Sequence, residues 1–244
     1  MGKVIVITGA GIGLGRALAR RFARDGETVI ALGRTLSKVQ AVADELGAPH
    51  FAVECDVQSP DSVRKAFAEI AQRHARIDVL INNAAIYEPF FVADATDAQL
   101  LEPILTNFAG PVFTSRAAIP MMEKGGYIIN VSSESVELEF PLLSMYQSSK
   151  AGMERFTQSL SKELEPLGIR VSVVRCGPMM EEGKGSNWDM EIATKFFHLC
   201  IAAGIDMTKR GISHVDNIPG IFRVLLDLPD DVRLPHISIE GRLP

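Results

Sequence analysis

The chain has 244 residues, 47% of them apolar, which is material for a large core and excludes wholesale disorder. Its 30 acidic and 25 basic residues give a formal charge of −5, with no basic run, which argues against nucleic acid and anionic membranes as partners. Three scattered cysteines, Cys55, Cys176 and Cys200, and only five histidines argue against a disulfide framework and against a metal site. No apolar run has bilayer length and the first residues lack a signal-peptide pattern, so the expected location is the cytoplasm.

In chain order, Val4-Ile5-Val6-Ile7 reads as a buried strand, since four consecutive apolar residues suit a strand covered on both faces. A glycine-rich turn follows, then a helix over 16–25 closed by Gly26, a strand over 28–32 and a helix over 36–46 closed by Gly47. A strand over 51–53 leads to a helix over 59–74, opened by Ser59-Pro60-Asp61. Strands over 79–81 and 127–131 flank a long helix over 97–122, and a second long helix over 145–164 ends before Pro166 and Gly168. After a strand over 169–174 the alternation weakens. Residues 179–212 show helical stretches without a clear strand, followed by a helix over 215–226 and a strand over 236–239. Apolar strands alternating with helices predict an α/β fold: a doubly wound parallel sheet with helices on both faces. One domain over 1–244 is expected, with 179–212 inserted as a lid at the carboxyl edge of the sheet.

The turn after the first strand is Thr8-Gly9-Ala10-Gly11-Ile12-Gly13-Leu14-Gly15. Glycines let the backbone turn tightly and approach a ligand, and the helix behind them presents free N–H groups to a pyrophosphate. Alone such a loop reads equally as a tight strand–helix turn; its place after the first strand of an alternating chain favours a dinucleotide. Its spacing departs from G-x-G-x-x-G. Tyr146 and Lys150 lie four apart on a helix and share one face. An ammonium near a tyrosine favours the phenolate and brings its proton within reach of catalysis. Alone, this pair reads as an exposed Tyr/Lys on an amphipathic helix.

Together, Thr8-Gly9-x-x-x-Gly13-x-Gly15, Asp56-Val57, Asn82-Asn83-Ala84-Ala85, Asn107, Ser132-Ser133 and Tyr146-Gln147-Ser148-Ser149-Lys150 resemble the short-chain dehydrogenase/reductase family in its compact single-domain branch, over about residues 3–177. The resemblance implies a Rossmann fold and a catalytic set of Asn107, Ser133, Tyr146 and Lys150. In it Ser133, thirteen residues before Tyr146, shares the substrate oxygen with the phenol, and Asn107 holds a water behind the lysine. It implies a cofactor lined by Thr8, Gly9, Gly11, Ile12, Gly13, Leu14 and Gly15. Asp56 and Val57 then meet the adenine, and Asn83, Ala84 and Ala85 form the floor, with Ala85 where Gly is usual. Tyr146 and Lys150 also reach the cofactor, as do Gly177 and Met179 on its nicotinamide side. Cys176 replaces a usual proline there and Glu181 stands near a usual threonine.

The second strand ends Ala31-Leu32-Gly33-Arg34-Thr35, with Gly33 where an acid would hold the 2′-hydroxyl of NAD. Arg34 suits a 2′-phosphate, so NADP(H) is favoured and NAD(H) is the alternative, although Ile12 puts no base in the loop. Substrate contacts are expected from Ser133, Tyr87, Val136, Met145 and Met180. Beside the lid residues Met179, Trp188, Met190, Phe196 and Phe197 these make an apolar pocket for a hydrophobic ketone or alcohol such as an aromatic, terpenoid or steroid ring. The run Glu181-Glu182-Gly183-Lys184-Gly185 is expected to hinge the lid. The resemblance also implies a homodimer or homotetramer through the two long helices, for which Met121, Met122, Met153 and Phe156 are candidate contacts. The competing reading is a dinucleotide-binding sensor or scaffold with little turnover. An epimerase or dehydratase of the extended branch would need a separate substrate domain.

Overall fold

The computed structural model describes residues 2–183 and 188–243; Lys184 and Gly185 of the expected hinge lie outside them. Seven parallel strands form the central sheet in the order β3-β2-β1-β4-β5-β6-β9. They are β1 Val4–Thr8, β2 Thr28–Gly33, β3 Phe51–Glu54, β4 Val79–Asn82, β5 Tyr127–Ser133, β6 Arg170–Cys176 and β9 His236–Ile239. The helices are α1 Gly13–Arg24, α2 Leu36–Leu46, α3 Pro60–Arg73, α4 Asp97–Pro103, α5 Gly110–Ala118, α6 Ser144–Leu164, α7 Met190–Ala202 and α8 Pro219–Asp227. The doubly wound α/β sheet expected from the alternation is thus observed.

Side chains alternate across a strand, and both sides of β1 are buried. Ile5 and Ile7 join Leu14, Leu18 and Phe22 of α1 and Phe222 and Leu225 of α8 in one core. Val6 faces the other way, into a second core with Phe67 and Ile70 of α3 and Leu160 and Leu164 of α6. The strand order reverses between β1 and β4, and the crevice outside the carboxyl ends at such a switch point is where ligands bind in this architecture.

Three local differences from the sequence reading bear on the site. The helix expected over 97–122 is interrupted by a π turn at Ile104–Ala109 and tightens to a 3-10 turn at Ile119–Met121. Pro111 has no N–H to offer the carbonyl of Asn107 four residues earlier, and Gly110 N–H bonds Leu105 O instead. The segment without an expected strand contains β7 Met179–Met180, which pairs in parallel with β8 Ser213–His214. The candidate contact residues do not form an outer helix face: Met153 and Met122 are buried, and Met121 and Phe156 pack against the second core. Helix α6 turns Ala151, Arg155 and Gln158 outward instead. No helix among the described residues is long and apolar enough to cross a membrane.

Candidate active site

One cleft of about 630 Å³ opens along the carboxyl ends of β1, β2, β4, β5 and β6. The glycine loop forms its floor. Thr8 is buried beneath it, and its hydroxyl accepts from the N–H groups of Asn83 and Ala84, both at 3.0 Å. The Asn83 amide donates back to the carbonyls of Thr8 (3.0 Å) and Gly9 (3.3 Å), so the end of β4 locks the loop. A Cβ on Gly15 would lie 2.3 Å from the Gly9 carbonyl, and Gly13 sits at φ +56°. A side chain would clash at Gly15 and would strain the backbone at Gly13. Thr8 and Gly15, expected as cofactor contacts, therefore shape the loop from below, while Gly9, Gly11, Ile12, Gly13 and Leu14 line the cleft.

Helix α1 has no acid in its first turn and no capping side chain from Ile12. Its N-terminus is instead met by Glu181, whose carboxylate accepts from Gly13 N–H at 3.1 Å and pairs with Arg16. A carboxylate seated there shows that the loop suits an anion, as a dinucleotide's diphosphate requires. Sequence reasoning did not find this contact, because it joins residues 168 positions apart.

At the other end of the cleft, Gly33, Arg34, Thr35 and Lys38 form one wall and Asp56, Val57, Ala84 and Ala85 another. Lys38, in the first turn of α2 and four residues after Arg34, was missed by the sequence reading. The acid nearest in register to Gly33 is Glu54 on β3, and it does not line the cleft. Asp56 accepts from Gln58 N–H at 3.0 Å, so its carboxylate also shapes its own turn. Two cations, Arg34 and Lys38, thus stand beside Gly33 with no acid next to them, and Asp56 is the one acid among these lining residues.

Three residues of the expected catalytic set, Ser133, Tyr146 and Lys150, line the centre of the cleft, and Asn107 lies buried behind them. Ser133 ends β5, and its hydroxyl bonds to the Tyr146 phenol from α6. Lys150, one turn on, is 3% exposed and donates to Val131 O at 2.8 Å. Asn107 is fully buried in the π turn. Its amide accepts from Ile86 N–H and donates to Ile86 O, both at 2.9 Å, and donates to Ser149 Oγ at 3.0 Å. It thereby ties the segment after β4 to helix α6. A buried polar ladder does the same one layer below. Thr114 donates to Asn82 (2.6 Å), Asn82 to Asn130 (2.8 Å), and Asn130 to Thr157 of α6 (2.8 Å).

The electrostatics differ from the expectation of a phenol acidified by its lysine. Burial pushes the Tyr146 phenol up to about 12, against the hydrogen bond from Ser133 that pulls it down. Burial likewise pushes Lys150 down to about 8. The ring is only half-buried by surface, but its open side is the cleft and the rest is enclosed. The nearest strong anion to Lys150 on its own helix, Glu154, is engaged elsewhere. It accepts from Arg175 Nε (3.1 Å), from a second Arg175 nitrogen (2.7 Å) and from Ser132 (2.5 Å). Arg175 follows Val173-Val174 on β6 and is itself buried, 8% exposed. Cys176 lies opposite Ser133 in register, and burial pushes its thiol up to about 12, so it stays protonated and packs as a small apolar group.

Above Tyr146 the wall is aromatic. Tyr87 lies 5.8 Å from Tyr146 and 5.4 Å from Trp188, and Trp188 meets Phe196 edge-on at 5.1 Å. Phe140, Leu143 and Met207 complete it. Of the expected substrate contacts, Tyr87 and Ser133 line the cleft, but Val136, Met145 and Met180 do not. Met180 points away because neighbouring residues of a strand face opposite sides, and Met179 takes the inward one. Met145 is about 100° round the helix from Tyr146, and Ser135 rather than Val136 faces the cleft from its turn. Gly177 lines the cleft and donates to Ile239 O at 2.8 Å.

Comparison with known proteins agrees with this geometry. The sequence pattern of the family described as short chain dehydrogenase matches residues 3–191. The chain is 37% identical over 238 residues to the 11-beta-hydroxysteroid dehydrogenase-like 4A protein of Arabidopsis thaliana, covering 92% of this chain and 79% of that one. It is 36% identical over 186 residues to dehydrogenase/reductase SDR family member 7B of Danio rerio, covering 72% of this chain but only 60% of that protein's length. A blue fluorescent protein from a metagenomic library, solved in complex with NADPH, superposes with a TM-score of 0.81 at 25% identity, covering 98% of this chain and 97% of that one. By its sequence pattern, its sheet and its relatives, this chain belongs to the short-chain dehydrogenase/reductase family of NAD(P)-binding oxidoreductases.

Proposed function

We propose that the protein interconverts a secondary alcohol and its ketone on a hydrophobic, ring-sized substrate, with NADP(H) preferred over NAD(H). The observation that carries the reading is the meeting of Ser133, Tyr146 and Lys150 at the centre of a cleft with Arg34 and Lys38 at one end and an aromatic wall at the other, while Asn107 is buried behind it and tied to Ser149 of the lysine's helix. A bound nicotinamide would supply or accept the hydride. Ser133 holds the substrate oxygen beside Tyr146. The phenol keeps its proton at neutral pH and gives it to that oxygen during reduction. Lys150, held near pH 8, exchanges protons at physiological pH and restores the one Tyr146 gives up. Asn107 fixes the turn that faces the lysine's helix.

The aromatic wall of Tyr87, Trp188, Phe196 and Phe140 favours a flat or ring-bearing carbonyl over a sugar, since it offers few polar partners. Segment 179–212 supplies Met179, Trp188, Phe196 and Met207 to this wall, which supports a role as the substrate-side lid. Self-association remains part of the proposal, now resting on Leu101 and Ile104, which are 54% and 39% exposed on the stretch that was expected to pair. The test is a panel of ketones graded in size, offered with NADPH and with NADH while the reduced nicotinamide is followed by absorbance. Oxidation of NADPH by ring ketones is expected, and turnover confined to small polar aldoses with NADH would reverse both parts of the reading.

A further inference from the structure

The carboxylate at the glycine loop comes from a strap of the same chain. Glu181 follows β7, two residues after Met179; Met179 lines the cleft, and the Glu181 carboxylate reaches the N–H of Gly13 at its floor. Pairing of β7 with β8 and the bond from Gly177 N–H to Ile239 O hold that strap in place. Glu181 is 14% exposed at its side chain and its partner Arg16 is 26% exposed. Together they cover the first N–H of α1.

We propose that Glu181 is a latch on the cofactor site: its carboxylate occupies the anion seat of the glycine loop, and a dinucleotide diphosphate binds by displacing it. This rests on the reading of the cleft as a dinucleotide site. Two anions cannot share one N–H seat. The carboxylate must leave Gly13, and Arg16 is then released to pair with the incoming phosphates. Cofactor binding is thereby coupled to movement of the strap that also carries Met179 into the cleft. Because only the open fraction binds, the apparent dissociation constant is the intrinsic one divided by that fraction. A charge-assisted hydrogen bond of the kind Glu181 makes is worth roughly 10-fold or more in an equilibrium.

The single tryptophan, Trp188, lines the same cleft and reports binding without turnover. Titrations of the full chain, followed by Trp188 fluorescence for NADPH and by calorimetry for adenosine 2′-phosphate at the far end of the cleft, compare wild type with Glu181→Gln and Glu181→Thr. Both variants should bind NADPH about ten-fold more tightly, while adenosine 2′-phosphate, which has no diphosphate, binds all three alike. Unchanged or weaker NADPH binding in both variants would overturn the latch. Equal tightening of adenosine 2′-phosphate would overturn it too, by showing that the effect is not at the diphosphate. If neither wild type nor the variants bound NADPH or NADH, the dinucleotide reading itself would fall.

Discussion

Replacing Lys150 with methionine should stabilise the chain while it abolishes turnover. The lysine is 3% exposed, and burial lowers it from 10.5 to about 8. Its ammonium is nevertheless retained at pH 7, which costs about 3 kcal/mol relative to the unfolded chain, at about 1.4 kcal/mol per pH unit. The Glu154 charge offsets only part of this burial cost, its carboxylate being bound to Arg175 and Ser132. Methionine has nearly the same shape and no charge. It forfeits the bond to Val131 O, worth about 1 kcal/mol, so the net gain is about 2 kcal/mol. For a chain of this size that is roughly 4–8 °C in melting temperature. The sign of the pH dependence follows from proton counts. Between pH 8 and 10.5 the folded wild type has lost the proton that the unfolded chain still binds, so wild-type stability rises through that window. The variant lacks this contribution, and its advantage should be full at pH 7 and close by pH 10.5. Thermal melts of both proteins at three pH values decide the matter. A variant less stable than wild type at pH 7, or a difference that does not change with pH, would refute the argument.

Tyr146→Phe keeps the tilted ring contact with Tyr87 and should preserve fold and cofactor affinity, yet cut turnover by about 100- to 10,000-fold; near-normal rates would remove Tyr146 from the proton step. Arg34→Ala should weaken NADPH roughly 10- to 150-fold in a binding titration and leave NADH nearly unchanged, with Lys38→Ala acting in the same direction but less; equal loss of both cofactors would sink the NADP preference. Asn107→Ala strands the polar groups of Ile86 and should cost about 3 kcal/mol by urea denaturation, with activity lost in the protein that remains folded. Light scattering at micromolar concentration should give a dimer or larger, and a monomer would remove the proposed self-association.

Much of the sheet was visible because its strands are buried on both faces and so appear as unbroken apolar runs, as in Val4-Ile5-Val6-Ile7 and Val79-Leu80-Ile81. The helix starting at Gly13 was placed three residues late, since glycine propensity argues against the first turn that the loop geometry imposes. The π turn around Asn107 was missed although Pro111 marks it, because an apolar periodicity runs through the break. Tyr146, Lys150, Ser133 and Asn107 were found as a group through resemblance to the short-chain dehydrogenase/reductase family, whereas the pocket wall was only partly found. Which of two adjacent residues, Met179 or Met180, faces inward depends on strand register, and that register is set by pairing with Ser213 and His214 more than thirty residues away. The Glu181 contact and the Glu154–Arg175 pair were out of reach for the same reason: both are tertiary pairings of charged residues that look solvent-facing in a linear reading.

The most direct test of the central claim is the fate of the hydride. Wild-type protein is incubated with NADPH deuterated at the transferring position of its nicotinamide and with the ring ketones that oxidise it, and the products are analysed by mass spectrometry. The account predicts one deuterium at the carbinol carbon of the alcohol, formed in step with cofactor oxidation and lost in Tyr146→Phe. Cofactor that binds but transfers no deuterium to any carbonyl, with wild type indistinguishable from Tyr146→Phe, would contradict it and leave a dinucleotide-binding protein without this chemistry.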